Sequence, residues 1–138
     1  PRPAAALHHL GEQRTMSAKL LSSLDVRKLD KKRWLFLAPM VVLVGVDGIS
    51  YLIRVPPLFV TDFASVPRLP LIYWLFGGLG DWAAAVHDYL YTTGEYPRDI
   101  CDKIFREVLI HVDGTSEAGA NAMHAAVRLG GASRYSGS

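Results

Sequence analysis

The stretch Val41-Val-Leu-Val-Gly-Val-Asp-Gly-Ile-Ser-Tyr-Leu-Ile-Arg-Val55 decides the fold. It consists of two runs of β-branched and aromatic residues separated by Asp47-Gly48, and an Asp-Gly loop supplies the positive φ angles that a type I′ hairpin turn requires. Closure on two residues sets the register. Val44 then faces Tyr51 and Val42 faces Ile53, giving an apolar cross-strand surface that needs a cover. On the C-terminal side, Pro56-Pro57 blocks helix and sheet interior alike, and Leu58–Phe63 continues as an extended segment or edge strand. On the N-terminal side the strand texture reaches back to Trp34, before which Pro1–Leu29 mixes Ala, Ser and basic residues with weak periodicity. That segment reads as an arm, with a short helix around Ala18–Lys28 as its one candidate element.

Further along the chain the period changes from strand to helix. Leu69–Gly80, with Tyr73, Trp74 and Phe76 ahead of three glycines, reads as a short buried helix or an exposed apolar loop. Asp81 is placed to cap a helix over Trp82–Thr93, which Gly94 stops in the left-handed conformation. Pro97 suits the first turn of a second helix reaching Val112, in which Ile100, Ile104, Phe105, Val108 and Leu109 form one apolar stripe. Asp113-Gly114 ends it, and Thr115 or Ser116 opens a third helix to Leu129, closed by Gly130-Gly131. Ala118, Ala122, Ala125 and Ala126 make this last helix slim enough for close packing. The elements together predict an α+β fold: a small antiparallel sheet of about three or four strands followed by three helices packed on it. The predicted layout is a basic arm over 1–33, one α+β domain over 34–132 and a tail over 133–138.

Composition narrows the class. With 138 residues and half of them apolar, the chain supports one hydrophobic core. Cys101 is the single cysteine, which excludes a disulfide framework and a multi-cysteine zinc module. Residues 1–33 carry eight Lys/Arg against three Asp/Glu, and the remainder carries seven against ten. A basic front end of this kind is a candidate for weak contact with nucleic acid or an acidic membrane surface. Apolar runs such as Leu35–Val46 are broken by Pro39 and Gly45 and fall short of the roughly 18–20 residues of a membrane span, so no transmembrane segment is expected. Pro1–Thr15 lacks the apolar core of a secretion signal.

Two motifs carry the chemistry. In Val60-Thr-Asp-Phe-Ala-Ser-Val-Pro-Arg68, a Thr-Asp pair leaving a strand presents a carboxylate at a sheet end, or else Asp62 or Ser65 merely caps a turn. In His87-Asp88-Tyr89-Leu90-Tyr91, Ala83, Ala84, His87 and Tyr91 share one helical face. The turn between the first two helices centres near Glu95, which sets His87 and Asp102 at the same height in an antiparallel hairpin and Tyr91 level with Asp99. A carboxylate beside His87 would fix the tautomer and raise the basicity of the ring. His87, Asp102, Asp62 and Tyr91 are therefore the catalytic candidates, and Asp62 with Asp88 could hold a divalent cation. The alternative use of the same residues is a buried polar network that locks the helices to the sheet. His111 complements a helix C-terminus, Arg128 could clamp an acid of the first motif or simply face water, His8 and His9 make a poor metal site, and Cys101 reads as a small packing residue.

The set Val60–Arg68, Ala85-Val-His-Asp-Tyr-Leu-Tyr91 and Asp102-Lys-Ile-Phe105 resembles the small phage and prophage family known as domain of unknown function 1353, over roughly Trp34 to Arg128. Its characteristic positions fall on Thr61, Asp62, Ser65, Pro67, Arg68, His87, Asp88, Tyr91, Asp102 and Phe105. The resemblance implies a phage-encoded origin and no established reaction. His87-Asp88-x-x-Tyr91 is also similar to the helix of calcium-dependent phospholipases A2, although Leu90 stands where those enzymes have cysteine. The expectation for function is a phage virion component, at the tail or baseplate, docking through its arm on neighbouring subunits, either other phage structural proteins or copies of itself, in the virion or the host cytoplasm, with a His-Asp-Tyr polar network. The alternative is a small phage-encoded hydrolase with His87 as general base, oriented by Asp102.

Overall fold

The computed structural model describes residues 17–31, 33–61 and 81–136. Six strands come first: β1 (Ser17–Leu20), β2 (Val26–Lys28), β3 (Trp34–Phe36), β4 (Met40–Val46), β5 (Ile49–Val55) and β6 (Val60–Thr61). Among the described residues three helices follow, α1 (Asp81–Thr93), α2 (Arg98–His111) and α3 (Glu117–Gly130), and then a 3-10 turn (Ala132–Arg134). The fold is α+β, as the period changes along the sequence predict.

The hairpin forms as read. Asp47 and Gly48 have φ of 52° and 79°, and Val44 pairs with Tyr51 and Val42 with Ile53. Alternation then sorts the side chains. Met40, Val42, Val44, Val46, Ile53 and Val55 are buried against the helices, while Leu52 and Arg54 face outward. α2 lies across β1 and β4, with α1 and α3 on either side of it. Ile104, Phe105, Val108 and Leu109 of its stripe are fully buried, which makes α2 the centre of the core.

Three expectations are corrected. The single sheet is two antiparallel sheets, ordered β1-β4-β5 and β2-β3-β6. The helix expected around Ala18–Lys28 is two short strands: Ser17–Leu20 pairs with Val42–Gly45, and Val26–Lys28 pairs with Trp34–Phe36. Pairing with a partner outweighs local propensity in such short segments, because the ladder and not the isolated segment satisfies the backbone. The slim alanine face of α3 is also displaced: Ala118 and Ala125 are exposed, and the helix packs through Gly119, Ala120, Met123, Ala126 and Val127. The stretch read as Leu69–Gly80 lies outside the described residues, as do residues 1–16.

The helix ends follow the predicted punctuation. Gly94 and Gly114 take φ of 63° and 78°, and the Ser116 hydroxyl accepts from the Gly119 N–H as the N-cap of α3. Pro97 sits at the N-cap position of α2, one residue ahead of the expected place. α1 begins at Asp81 itself, and its first amides are met from a distance, the Asp113 carboxylate accepting from Trp82 N–H at 3.3 Å and Ala83 N–H at 2.8 Å. That contact ties the start of α1 to the end of α2.

Candidate functional site

The Gly94 stop turns α1 back along α2, and the equal height counted from the sequence is realised. The His87 Nε2–H donates to Asp102 Oδ1 at 2.7 Å, and both residues have 0% exposure. Tyr91 also reaches Asp102, its hydroxyl donating to the same oxygen at 2.6 Å, and not the exposed Asp99 beside which a backbone count places it. Helical side chains lean toward the N-terminus, so the Tyr91 hydroxyl lies over the preceding turn, at the level of His87. The other carboxylate oxygen accepts from Arg128 Nη1 at 2.7 Å. Arg128 thus clamps an acid of α2; Asp62, the acid of the Val60–Arg68 motif, lies outside the described residues.

Asp102 is therefore the hub of a polar network that joins all three helices. Arg98, which the sequence reading passed over, belongs to it too. Its Nε donates to the Tyr91 hydroxyl at 3.0 Å, and its Nη2 donates to the carbonyls of Val127 and Arg128 at 2.7 and 2.8 Å near the end of α3. The i, i+4 spacing of Arg98 and Asp102 was the available signal, and it brings Arg98 Nε within 4.0 Å of the carboxylate.

Electrostatics assigns the protons. Burial pushes the His87 imidazole below its ordinary value, against the opposing pull of the Asp102 hydrogen bond and charge. Burial alone would raise the Asp102 carboxyl, but hydrogen bonds from His87, Tyr91 and Arg128 hold it below the usual carboxylate range. Burial and the adjacent carboxylate raise the Tyr91 phenol. Among the described residues the hub thus holds an anionic Asp102, a neutral His87, a neutral Tyr91 and two guanidinium groups.

Residues following α3 cover this network. Ser136 N–H donates to the Tyr91 carbonyl at 2.9 Å, the Tyr135 hydroxyl donates to the Tyr96 carbonyl at 2.6 Å, and the rings of Tyr91 and Tyr135 meet edge to face at 5.3 Å. His87 is flanked by Tyr91 on one side and by Phe105, whose ring centre lies 4.9 Å away, on another.

Asp88, the neighbour of His87, serves a different contact. It accepts from the Thr61 hydroxyl at 2.7 Å, tying α1 to β6. A pocket of about 220 Å³ opens beside that contact, walled by Trp34, Phe36, Trp82 and Ala85, and Thr61 is its polar edge. None of His87, Tyr91 and Asp102 lines it. Asp62, Ser65, Pro67 and Arg68 lie outside the described residues, so the expected pairing of Asp62 with Asp88 on a cation falls there too. Among the described residues no group of three His, Cys, Asp or Glu is arranged to hold a metal ion.

The remaining candidates have structural surroundings. His111 stands in the last turn of α2 with Nε2 3.5 Å from Glu107, a second buried carboxylate that also pairs with Arg106. The sequence reading missed Glu107, since nothing in its spacing marks it as buried. Cys101 is buried with its thiol pushed up to about 12 by burial and the Asp102 charge, as befits a packing residue. The described basic residues of the front end, Lys19, Arg27, Lys28, Lys31 and Arg33, are exposed on or beside β1, β2 and β3. Among the described residues no helix is long and apolar enough to cross a membrane.

Comparison with known proteins agrees with the motifs. No curated protein and no solved structure matches the sequence. The profile of the family described as "Protein of unknown function (DUF1353)" matches residues 40–127, from the start of β4 into α3, a span that includes the hairpin, His87, Asp88, Tyr91 and Asp102. With well over half of its length so matched, the chain belongs to the DUF1353 family.

Proposed function

We propose that this protein is a structural component of a phage particle, at the tail or baseplate, in which the Asp102 hub braces the fold and the outer surfaces dock on neighbouring subunits. One observation carries the non-catalytic part of this reading: His87 and Asp102 are both completely buried, and the carboxylate is occupied by His87, Tyr91 and Arg128. A general base must come within hydrogen-bond reach of its substrate, directly or through one water. A hub that joins three helices while staying away from the nearby pocket suits bracing better than turnover. The resemblance of the Thr61–Arg68 and His87–Tyr91 motifs to phage proteins supports the assignment to a particle. Exposed Leu52, Leu58 and Leu129 supply apolar outer surface for docking.

Mass spectrometry of purified particles tests this reading. The protein is expected among the virion proteins, and its absence from particles that contain the other structural proteins would overturn it.

The hydrolase reading has one observation in its favour, the neutral imidazole oriented by an ionised carboxylate, which is the resting arrangement of a His–Asp base. It requires that His87→Ala leave the protein folded while abolishing a step in envelope or cell-wall processing. The bracing reading requires that the same substitution lower the stability.

A further inference from the structure

The sheet of β1, β4 and β5 ends on two unlike edges. β1 is four residues long and carries exposed Lys19, features that discourage pairing with another strand. β5 is seven residues long, Ile-Ser-Tyr-Leu-Ile-Arg-Val, with no Gly, no Pro and one charge. No described strand pairs with its outer edge. The two-residue turn makes Val46 and Ile49 a hydrogen-bonded pair, and alternation along the ladder then directs the N–H and C=O groups of Ser50, Leu52 and Arg54 away from β4. The side chains of the same three residues project from the sheet face opposite the core. Leu52 is 62% exposed and lies beside Leu43 of β4, and Ile49 at the strand's start is 55% exposed.

We infer that this edge binds a second copy of the protein, β5 against β5, antiparallel about a two-fold axis at Leu52. The register follows from which groups face outward. A two-fold at Leu52 sets Leu52 against its counterpart and Ser50 against Arg54, so every outward-facing backbone group on these three residues meets a complementary one. A centre lying between two residues would set outward-facing groups opposite residues whose own groups already bond β4. A centre at Arg54 would place two guanidinium groups face to face, which is destabilising in a cross-strand pair. At Leu52 each Arg54 meets a serine, Ile49 meets Val55 and Tyr51 meets Ile53. Leu43 and Leu52 of both copies then form one apolar row across a continuous six-stranded sheet, an isologous contact that closes as a dimer. The inference does not depend on the particle assignment: a dimer absent from virions, or a monomer present in them, would separate the two.

The test is sedimentation velocity on the full-length protein over a concentration series, together with cysteine cross-linking under mild oxidation. The wild type is expected to sediment at twice the monomer mass as concentration rises. Leu52→Lys, which sets two ammonium groups together at the axis, is expected to remain monomeric with an unchanged circular dichroism spectrum. Counterparts in a hydrogen-bonded pair lie about 5.5 Å apart between Cα atoms, within disulfide reach. Leu52→Cys should therefore cross-link with itself. Ser50→Cys alone should not, whereas a mixture of Ser50→Cys and Arg54→Cys should. A protein that stays monomeric at the highest concentration, a dimer that survives Leu52→Lys, or Ser50→Cys cross-linking as readily as Leu52→Cys would each overturn the proposal.

Discussion

Replacing His87 by Gln should remove a specific part of the acid sensitivity of this fold. His87 is completely buried, and burial holds its imidazole below the ordinary value of 6.5 despite the hydrogen bond to Asp102. The sign follows from proton counting. Below about 6.5 the unfolded chain takes up a proton at this position and the folded chain does not, so acid favours the unfolded state. The loss begins near the unfolded value and continues until pH reaches the depressed folded value, at up to about 1.4 kcal/mol for each pH unit in that window. His124 shares the direction, burial again being the main cause, so the wild type combines two such slopes. Gln retains an amide donor for Asp102 and cannot titrate. The assay is urea denaturation of wild type and His87→Gln from pH 7.5 to 5.5. The variant is expected to be less stable at pH 7.5, through imperfect filling of the site, and to lose less stability than the wild type as pH falls to 5.5, by up to about 1.4 kcal/mol. Parallel stability profiles would refute the reasoning, as would a His87 imidazole that titrates at or above 6.5 by NMR in the folded protein.

Three further outcomes can be checked on the same purified protein. Asp102→Asn is isosteric but turns a donor toward His87, Tyr91 or Arg128, and should lower stability by about 3 kcal/mol at pH 7, the range for a buried charged pair that loses one partner. Half-exposed Arg128 contributes the smaller share because water screens it, and a loss below about 1 kcal/mol in urea denaturation would contradict the bracing role. Leu58 holds φ of 70° while being 73% exposed, so Leu58→Gly relieves left-handed strain without losing a core contact. After allowance for the freedom glycine adds to the unfolded state, calorimetry should register a gain of up to about 1 kcal/mol. The buried Cys101 thiol, pushed up to about 12, should resist a thiol reagent at pH 8 and react stoichiometrically once urea unfolds the protein.

Much of the fold was legible because it is written locally. Asp47-Gly48 closes a hairpin through its own backbone preference, and Gly94 and Gly114 end helices for the same reason. The alternation of β4 and the stripe of α2 name their buried faces before any packing is known. The meeting of His87 with Asp102 was also legible, because a short turn between two helices converts sequence distance from the turn into height along the pair. The assignment of Tyr91 to the level of Asp99 failed because a backbone count ignores the direction in which a long side chain leans.

What the sequence by itself determined is the set of elements whose signals span a turn or a helix length: the hairpin, the three helices and the helix pair that carries the imidazole and its carboxylate. Tertiary structure alone decided that 17–20 and 26–28 are strands, that the strands divide into two sheets, and that Arg98 joins the hub. It also decided that His87 and Asp102 are completely buried. A three-residue strand has no identity until a partner satisfies its hydrogen bonds, and the burial of a side chain depends on segments far away in sequence, here the end of α3 and Tyr135, which no spacing near His87 records.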